Sequence, residues 1–191
     1  VDARFALMEF HLMAPRLLGG RIDEARAQAE EIRRRDAVAG HRAFAAIAIA
    51  TNDLDQAHHE HLEAMRIRPD SADAVYWYGV FLLLRTREYK AASEQFESAL
   101  NLDPGYISAN FQIGHVAALA GAGLDRGADA LRTYLDHETG DGDLPRYRAY
   151  YWLGMIYEQQ GKRDDARAQF QAALHLRPGD KESETALARL P

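Results

Sequence analysis

The amino-acid sequence predicts an all-α protein built from stacked helical pairs, and three observations carry that prediction. The phrase Ala-Leu-x-Leu-x-Pro, or a near variant, closes an amphipathic stretch three times, at residues 64–69, 99–104 and 173–178. Each copy is preceded by a large residue (His61, Phe96, Phe170) and, four positions earlier, by an alanine (Ala57, Ala92, Ala166). The first two copies begin 35 residues apart, at Ala64 and Ala99, and the third begins at Ala173, which leaves room for one worn copy between. A period in the mid-thirties is the mark of helix pairs that bury their apolar faces only against their neighbours.

The pairs can be justified in order along the chain. In residues 1–37, Leu7 and Met8 take inner positions, Pro15 ends the first helix, and Ile22, Ala25 and Ala29 begin the inner face of the second. Residues 38–71 carry Phe44, Ala45 and Ala48, with Asp53 and Gln56 spaced as a capping box for the second helix. Residues 72–105 hold Val75, Tyr78, Gly79 and Leu82, then Tyr89, Ala92, Phe96 and Ala99. The worn copy, 106–146, keeps Ile113, Gly114, Gly121, Gly127, Leu131 and Tyr134 but runs into a Gly- and Asp-rich connector at 136–145. Residues 147–179 hold Tyr150, Leu153, Gly154, Tyr157, Gly161, Ala166, Phe170, Ala173 and Pro178. Small residues at Gly154 and Ala166 let two helices approach, large ones fill the space beside them, and Pro178 stops the second helix. A last helix at 180–190 turns Ala186, Leu187 and Leu190 inward and Lys181, Glu182, Glu184 and Arg189 to water, the polar cap that a terminal repeat needs.

This pattern resembles the tetratricopeptide repeat: a small residue at the eighth position, alanine at the twentieth, an aromatic at the twenty-fourth and a closing proline. The resemblance implies a right-handed α-solenoid of about five helix-turn-helix units plus a C-terminal capping helix, as one array over 1–191. Against the family pattern, His61 replaces the usual aromatic and the turn at 85–88 is one residue longer. The Pro-Arg-Leu-Leu-Gly-Gly turn at 15–20 is similar to one in uncharacterised bacterial envelope proteins of the same repeat class, which implies a soluble protein of the envelope or periplasm rather than the cytoplasm.

Composition narrows the function. The chain is 47% hydrophobic and 27% charged, as in a folded soluble protein, and carries a net charge of −6, which argues against a phosphate-binding face for nucleic acid. It has no cysteine, hence no disulfide or thiolate site. The longest apolar run, residues 75–84, is too short to span a bilayer. The opening at Val1 reads as a mature or excised segment whose upstream repeats or export signal have been removed.

The family places the second, fifth, ninth, twelfth and thirteenth positions of each first helix in a concave groove. On that reading a protein or peptide partner is met by Phe5, Glu9, Arg42, Asp73, Tyr76, Val80, Leu84, Phe111, His115, Arg148, Tyr151, Met155 and Glu158. Four of the five fifth positions are aromatic, and such a row suits a helix or extended peptide. Tyr76 and Tyr151 are expected in the groove, and Phe5 and Phe111 are divided evenly between groove and core. The lysine, asparagine and arginine of the family's carboxylate clamp are missing. Phe5 and Glu9 stand in their place.

Two features invite chemistry. His58, His59, Glu60 and His61 form the densest ligand cluster, yet the metalloprotease spacing is absent and His61 occupies a core position. The acidic connector lacks the alternating ligands of a calcium loop. No nucleophile elbow, phosphate loop or dinucleotide fingerprint occurs. The sequence therefore predicts a binding scaffold without cofactor or metal. A structural assembly or self-association module with an occupied groove is the alternative, followed by a metal-assisted hydrolase at His58.

Overall fold

The computed structural model describes residues 2–14, 21–138, 140 and 144–190. The expected turn at 15–20, the parts of the connector at 139 and 141–143, and both terminal residues lie outside the described residues. The chain divides into two compact units, Val1–Thr86 and Arg87–Pro191.

The first unit contains α1 (Asp2–Met13), α2 (Ile22–Arg35), α3 (Ala37–Ala50), α4 (Leu54–Ile67) and α5 (Ala72–Phe81), which continues into a π-helical turn at Leu82–Thr86. Successive helices pack on one another, and the odd-numbered ones also touch, α1 on α3 and α3 on α5. That alternation is solenoid stacking. Its core is made of Met8, Ala25, Ala29, Ile32, Ala43 and Ile47, with Phe5 and Leu12 packed against it. Met8 takes the inner position as expected, whereas Leu7 is exposed, because Phe5, Met8 and Leu12 share one helical face that Leu7 leaves. Asp36, Asp53 and Ser71 cap α3, α4 and α5 by accepting the backbone N–H of the third residue onward. The capping box at Asp53 is half made: Gln56 donates its side-chain amide to Glu60 at 2.6 Å and does not return to Asp53. The surplus residue of the turn at 85–88 is taken up by the π-helical turn before it, with Arg87 at φ 58°.

The second unit contains α6 (Tyr89–Leu102), α7 (Ile107–Ala120), α8 (Leu124–Asp136), α9 (Arg146–Gln159), α10 (Arg163–Leu176) and α11 (Lys181–Arg189). Here too neighbours pack in sequence, α7 touches α9, and α9 touches α11. Phe96, Leu131, Tyr134 and Phe170 are fully buried, as are Ala92, Ala166 and Ala173. Close approach depends on glycine at two places. A Cβ on Gly154 would sit 2.6 Å from the Phe170 ring, and one on Gly114 would sit 2.2 Å from Leu131 Cγ. The small and large residues picked out by the repeat therefore meet as knobs and gaps between helices. Among the described residues every element is helical.

Candidate functional site

In the first unit, the inner faces of α1, α3 and α5 enclose a cleft of about 350 Å³. Phe5 and Glu9 come from α1; Arg42, Ala46 and Ile49 from α3; Trp77, Val80 and Phe81 from α5; Leu84 and Arg85 from the π-helical turn; and His61 from α4. The sequence dictates this lining through helical spacing: 42, 46 and 49 share a face of α3, and 73, 77, 80 and 84 follow one face of α5 and its continuation.

One cation organises the cleft. The Arg42 guanidinium lies over the Phe5 ring at 4.2 Å and over the Trp77 ring at 5.0 Å, so rings of α1 and α5 hold it from either side. Its Nη1 reaches Asp73 at 3.4 Å, and Asp73 also accepts the Trp77 indole N–H at 3.0 Å. Arginine suits this place because its flat, weakly hydrated fork stacks and donates together. Beside it the lining turns apolar, with Leu84 more than half exposed. In the floor, His61 is 4% exposed and packs on Phe81 and Tyr78 at ring distances of 5.3 and 5.9 Å. Burial, with a smaller contribution from His58 and Arg42, pushes its pKa down to about 4. His58 is exposed and meets the Tyr78 hydroxyl at 3.3 Å. Among the described residues no group of three or more histidines or carboxylates is placed to hold a metal ion.

The second unit treats its inner face differently. Arg148 of α9 pairs with Glu182 of α11, and Glu158 of α9 pairs with Arg189, whose Nε donates at 2.8 Å. Arg189 also reaches the Met155 sulfur at 2.9 Å, and Glu158 holds its guanidinium above the usual range. Glu182 and Arg189 face water as expected and also bind α11 to α9. Beneath them Trp152 stacks on His115 at 4.3 Å and Arg148 lies over the Trp152 ring at 5.1 Å. His115, bonded to Gln112, is also pushed down to about 4, by burial first and by Arg148 second.

The expected groove residues thus separate. Phe5, Glu9, Arg42, Val80 and Leu84 meet around the cleft, with Asp73 bonded to two of its residues. Arg148, Met155 and Glu158 are engaged by α11, and His115 is engaged by Trp152. Tyr76 and Tyr151 are corrections, and Phe111 falls on the core side of its two readings: all three are buried, at 5%, 9% and 4% exposure, rather than presented to solvent. The cause is visible for two of them. Phe111 packs on Tyr134 at 5.4 Å and Tyr151 on Phe170 at 6.0 Å, rings of the second helix in their own pair. Burial accordingly raises the Tyr151 phenol above its ordinary pKa. Tyr76 lies edge-on to Trp77 at 5.4 Å, one residue round the helix from the cleft. Sequence reasoning missed Trp77, Ile49, Phe81 and Arg85. The signal for Trp77 was present, since it continues the face of Asp73, Val80 and Leu84 at four, three and four residues.

Comparisons with known proteins agree with the fold. Family models for the tetratricopeptide repeat match residues 43–107 and 147–180, together about half of the chain. The chain belongs to the tetratricopeptide-repeat proteins. Protein bimA of Emericella nidulans is 28% identical over 132 residues, 68% of this chain, and the chain spans only 15% of that relative's length. Among solved structures, YrrB, a TPR protein with an unusual peptide-binding site, matches 86% of this chain and 82% of its own, with a TM-score of 0.67 and 19% identity. A thermophilic TPR protein of Thermus thermophilus matches 98% of this chain and 96% of its own, with a TM-score of 0.66 and 18% identity. At these identities the likeness is one of fold. No described helix is long and apolar enough to cross a membrane.

Proposed function

We propose that the chain is a protein- or peptide-binding scaffold rather than an enzyme, and that the cleft between α1, α3 and α5 receives a segment of the partner. The observation that carries this reading is the open, largely apolar cleft with Arg42 fixed between Phe5 and Trp77. A ring-held cation beside exposed apolar side chains is the composition of an interface centre, where aromatics and arginine concentrate binding energy. That YrrB is described as having a peptide-binding site supports a peptide as the class of ligand. The division into five repeats of one array with a capping helix, read from the sequence, is carried forward in this proposal. So is the bacterial envelope setting implied by the turn at 15–20, which fractionation of cells expressing the parent gene tests. The experiment for the cleft is selection of a displayed random peptide library on the wild-type chain, followed by binding to Val80→Glu. The expected result is peptides that lose at least tenfold in affinity for the variant. Peptides that bind both equally would place the site elsewhere.

A second reading has its own observation. Leu7, Phe10 and Met13 of α1 are exposed, at 43%, 50% and 83%. An apolar stripe of that kind favours an assembly role through α1, and light scattering of wild type against Phe10→Glu tests it by a change in mass.

A further inference from the structure

The floor of the cleft holds a polar side chain that the fold leaves without a hydrogen bond. His61 is 4% exposed, lines the cleft and packs on the rings of Tyr78 and Phe81, with His58 and Arg42 nearby. It makes no hydrogen bond among the described residues, and its ring nitrogens still reach water, since neither is a fully buried atom without a partner. It is neutral near pH 7, so one ring nitrogen donates and the other accepts. Whatever fills the cleft displaces that water, so an occupant without a polar tip would leave the imidazole unanswered. The surrounding surface is aliphatic and aromatic: Ala46, Ile49, Val80, Phe81 and Leu84. The cleft volume of about 350 Å³ is at the small end of ligand pockets, the size for an anchoring side chain rather than a whole helix. At its margin Glu9 and Arg85 are both exposed and unpaired among the described residues, ready to meet opposite charges flanking such an anchor.

Resting on the cleft reading above, we infer that the anchor is a tyrosine of the partner, its ring among Ile49, Val80 and Leu84 and its hydroxyl hydrogen-bonded to His61. A tyrosine has an apolar body and a tip that donates or accepts, so it matches either tautomer of the imidazole. Leucine or phenylalanine would seal His61 from water without replacing the lost hydrogen bond, and a carboxylate or ammonium would be stripped of water against a neutral ring.

The test uses the two side-chain analogues p-cresol and toluene, titrated into the whole chain while the Trp77 indole and His61 ring resonances are followed by NMR. The expected result is that both probes move Trp77 and that p-cresol binds roughly three- to tenfold more tightly, the range of one net hydrogen bond. His61→Phe, which restores the ordinary aromatic at this repeat position, is expected to keep toluene binding and lose the preference for p-cresol. Equal affinity of the two probes for the wild type would mean that solvent still serves His61 when the cleft is filled, and it would overturn the tyrosine anchor while leaving the cleft reading intact. A preference that survives in His61→Phe would overturn it as well. If neither probe moves Trp77, the cleft is closed to aromatic rings and the anchor falls, with the peptide selection deciding the cleft reading separately.

Discussion

The inner faces of the two units use the same repeat chemistry to opposite ends. In Val1–Thr86 the odd-numbered helices leave a cleft whose central cation is held by rings, with apolar side chains beside it still in contact with solvent. In Arg87–Pro191 the face of α9 is taken by α11, which brings Glu182 to Arg148 and Arg189 to Glu158. The histidines repeat the contrast. His61 faces an open cleft without a hydrogen bond, whereas His115 is stacked on Trp152 and bonded to Gln112. What distinguishes an open face from a closed one is therefore not the core of the repeat but the handful of side chains that the adjoining first helix supplies.

The largest effects should come from the core and ignore this contrast. Phe170→Ala is expected to cost about 3–5 kcal/mol in urea denaturation, since the ring is fully buried and opposes Gly154. Tyr151→Ala belongs with it, at about 2–4 kcal/mol, because Tyr151 packs on Phe170. A loss under 1 kcal/mol in either would show that the second unit's packing is not as described.

Acid should affect both units alike. His61 and His115 each fall from the ordinary 6.5 to about 4 on folding. The unfolded chain therefore binds more protons between those values, and stability is full above about pH 6.5 and falls as the pH drops towards 4. A drop from 6.5 to about 4 corresponds to roughly 3 kcal/mol per histidine once both values have been passed. Denaturation midpoints measured from pH 7 to 4, in wild type against His61→Phe, should differ in slope over that window. Identical slopes would mean that His61 is not held neutral by burial.

Smaller still are the contacts that close the second unit. Glu182→Ala and Glu158→Ala remove ion pairs that are partly open to water, and each is expected to cost less than about 1 kcal/mol. Their more telling effect would be faster amide exchange in α11, since Ser183 and Ala186 are its only buried residues.

Much of this was legible in the sequence. Gly154, Ala166, Phe170 and Ala173 declared their contacts by spacing, because close packing of two helices leaves little choice of residue size. The groove was legible only in part. Asp73, Val80 and Leu84 lie on one helical face, but the rule of fixed repeat positions selected Tyr76, which is turned about 100° from Trp77 and falls into the interior. Tyr151 fails for a different reason: its ring packs on Phe170 of the second helix in its pair, as Phe111, divided between groove and core, packs on Tyr134. Glu182 and Arg189 are solvated cap residues as expected, but their pairing with α9 was not legible. Surface charges on a helix carry no mark of a partner more than thirty residues away in the chain.

Tyr76 and Trp77 are adjacent and aromatic, and they are assigned opposite roles, so they give the most direct test. Peptides selected on the wild-type chain should be measured by calorimetry against Trp77→Ala and Tyr76→Ala, with the folded fraction of each determined by urea denaturation. Trp77→Ala should lose about 2 kcal/mol or more of binding while its stability falls by about 1 kcal/mol. Tyr76→Ala should lose about 2–4 kcal/mol of stability while its folded molecules keep their affinity. Full binding by Trp77→Ala, together with lost binding by well-folded Tyr76→Ala, would contradict the cleft between α1, α3 and α5 as the partner site.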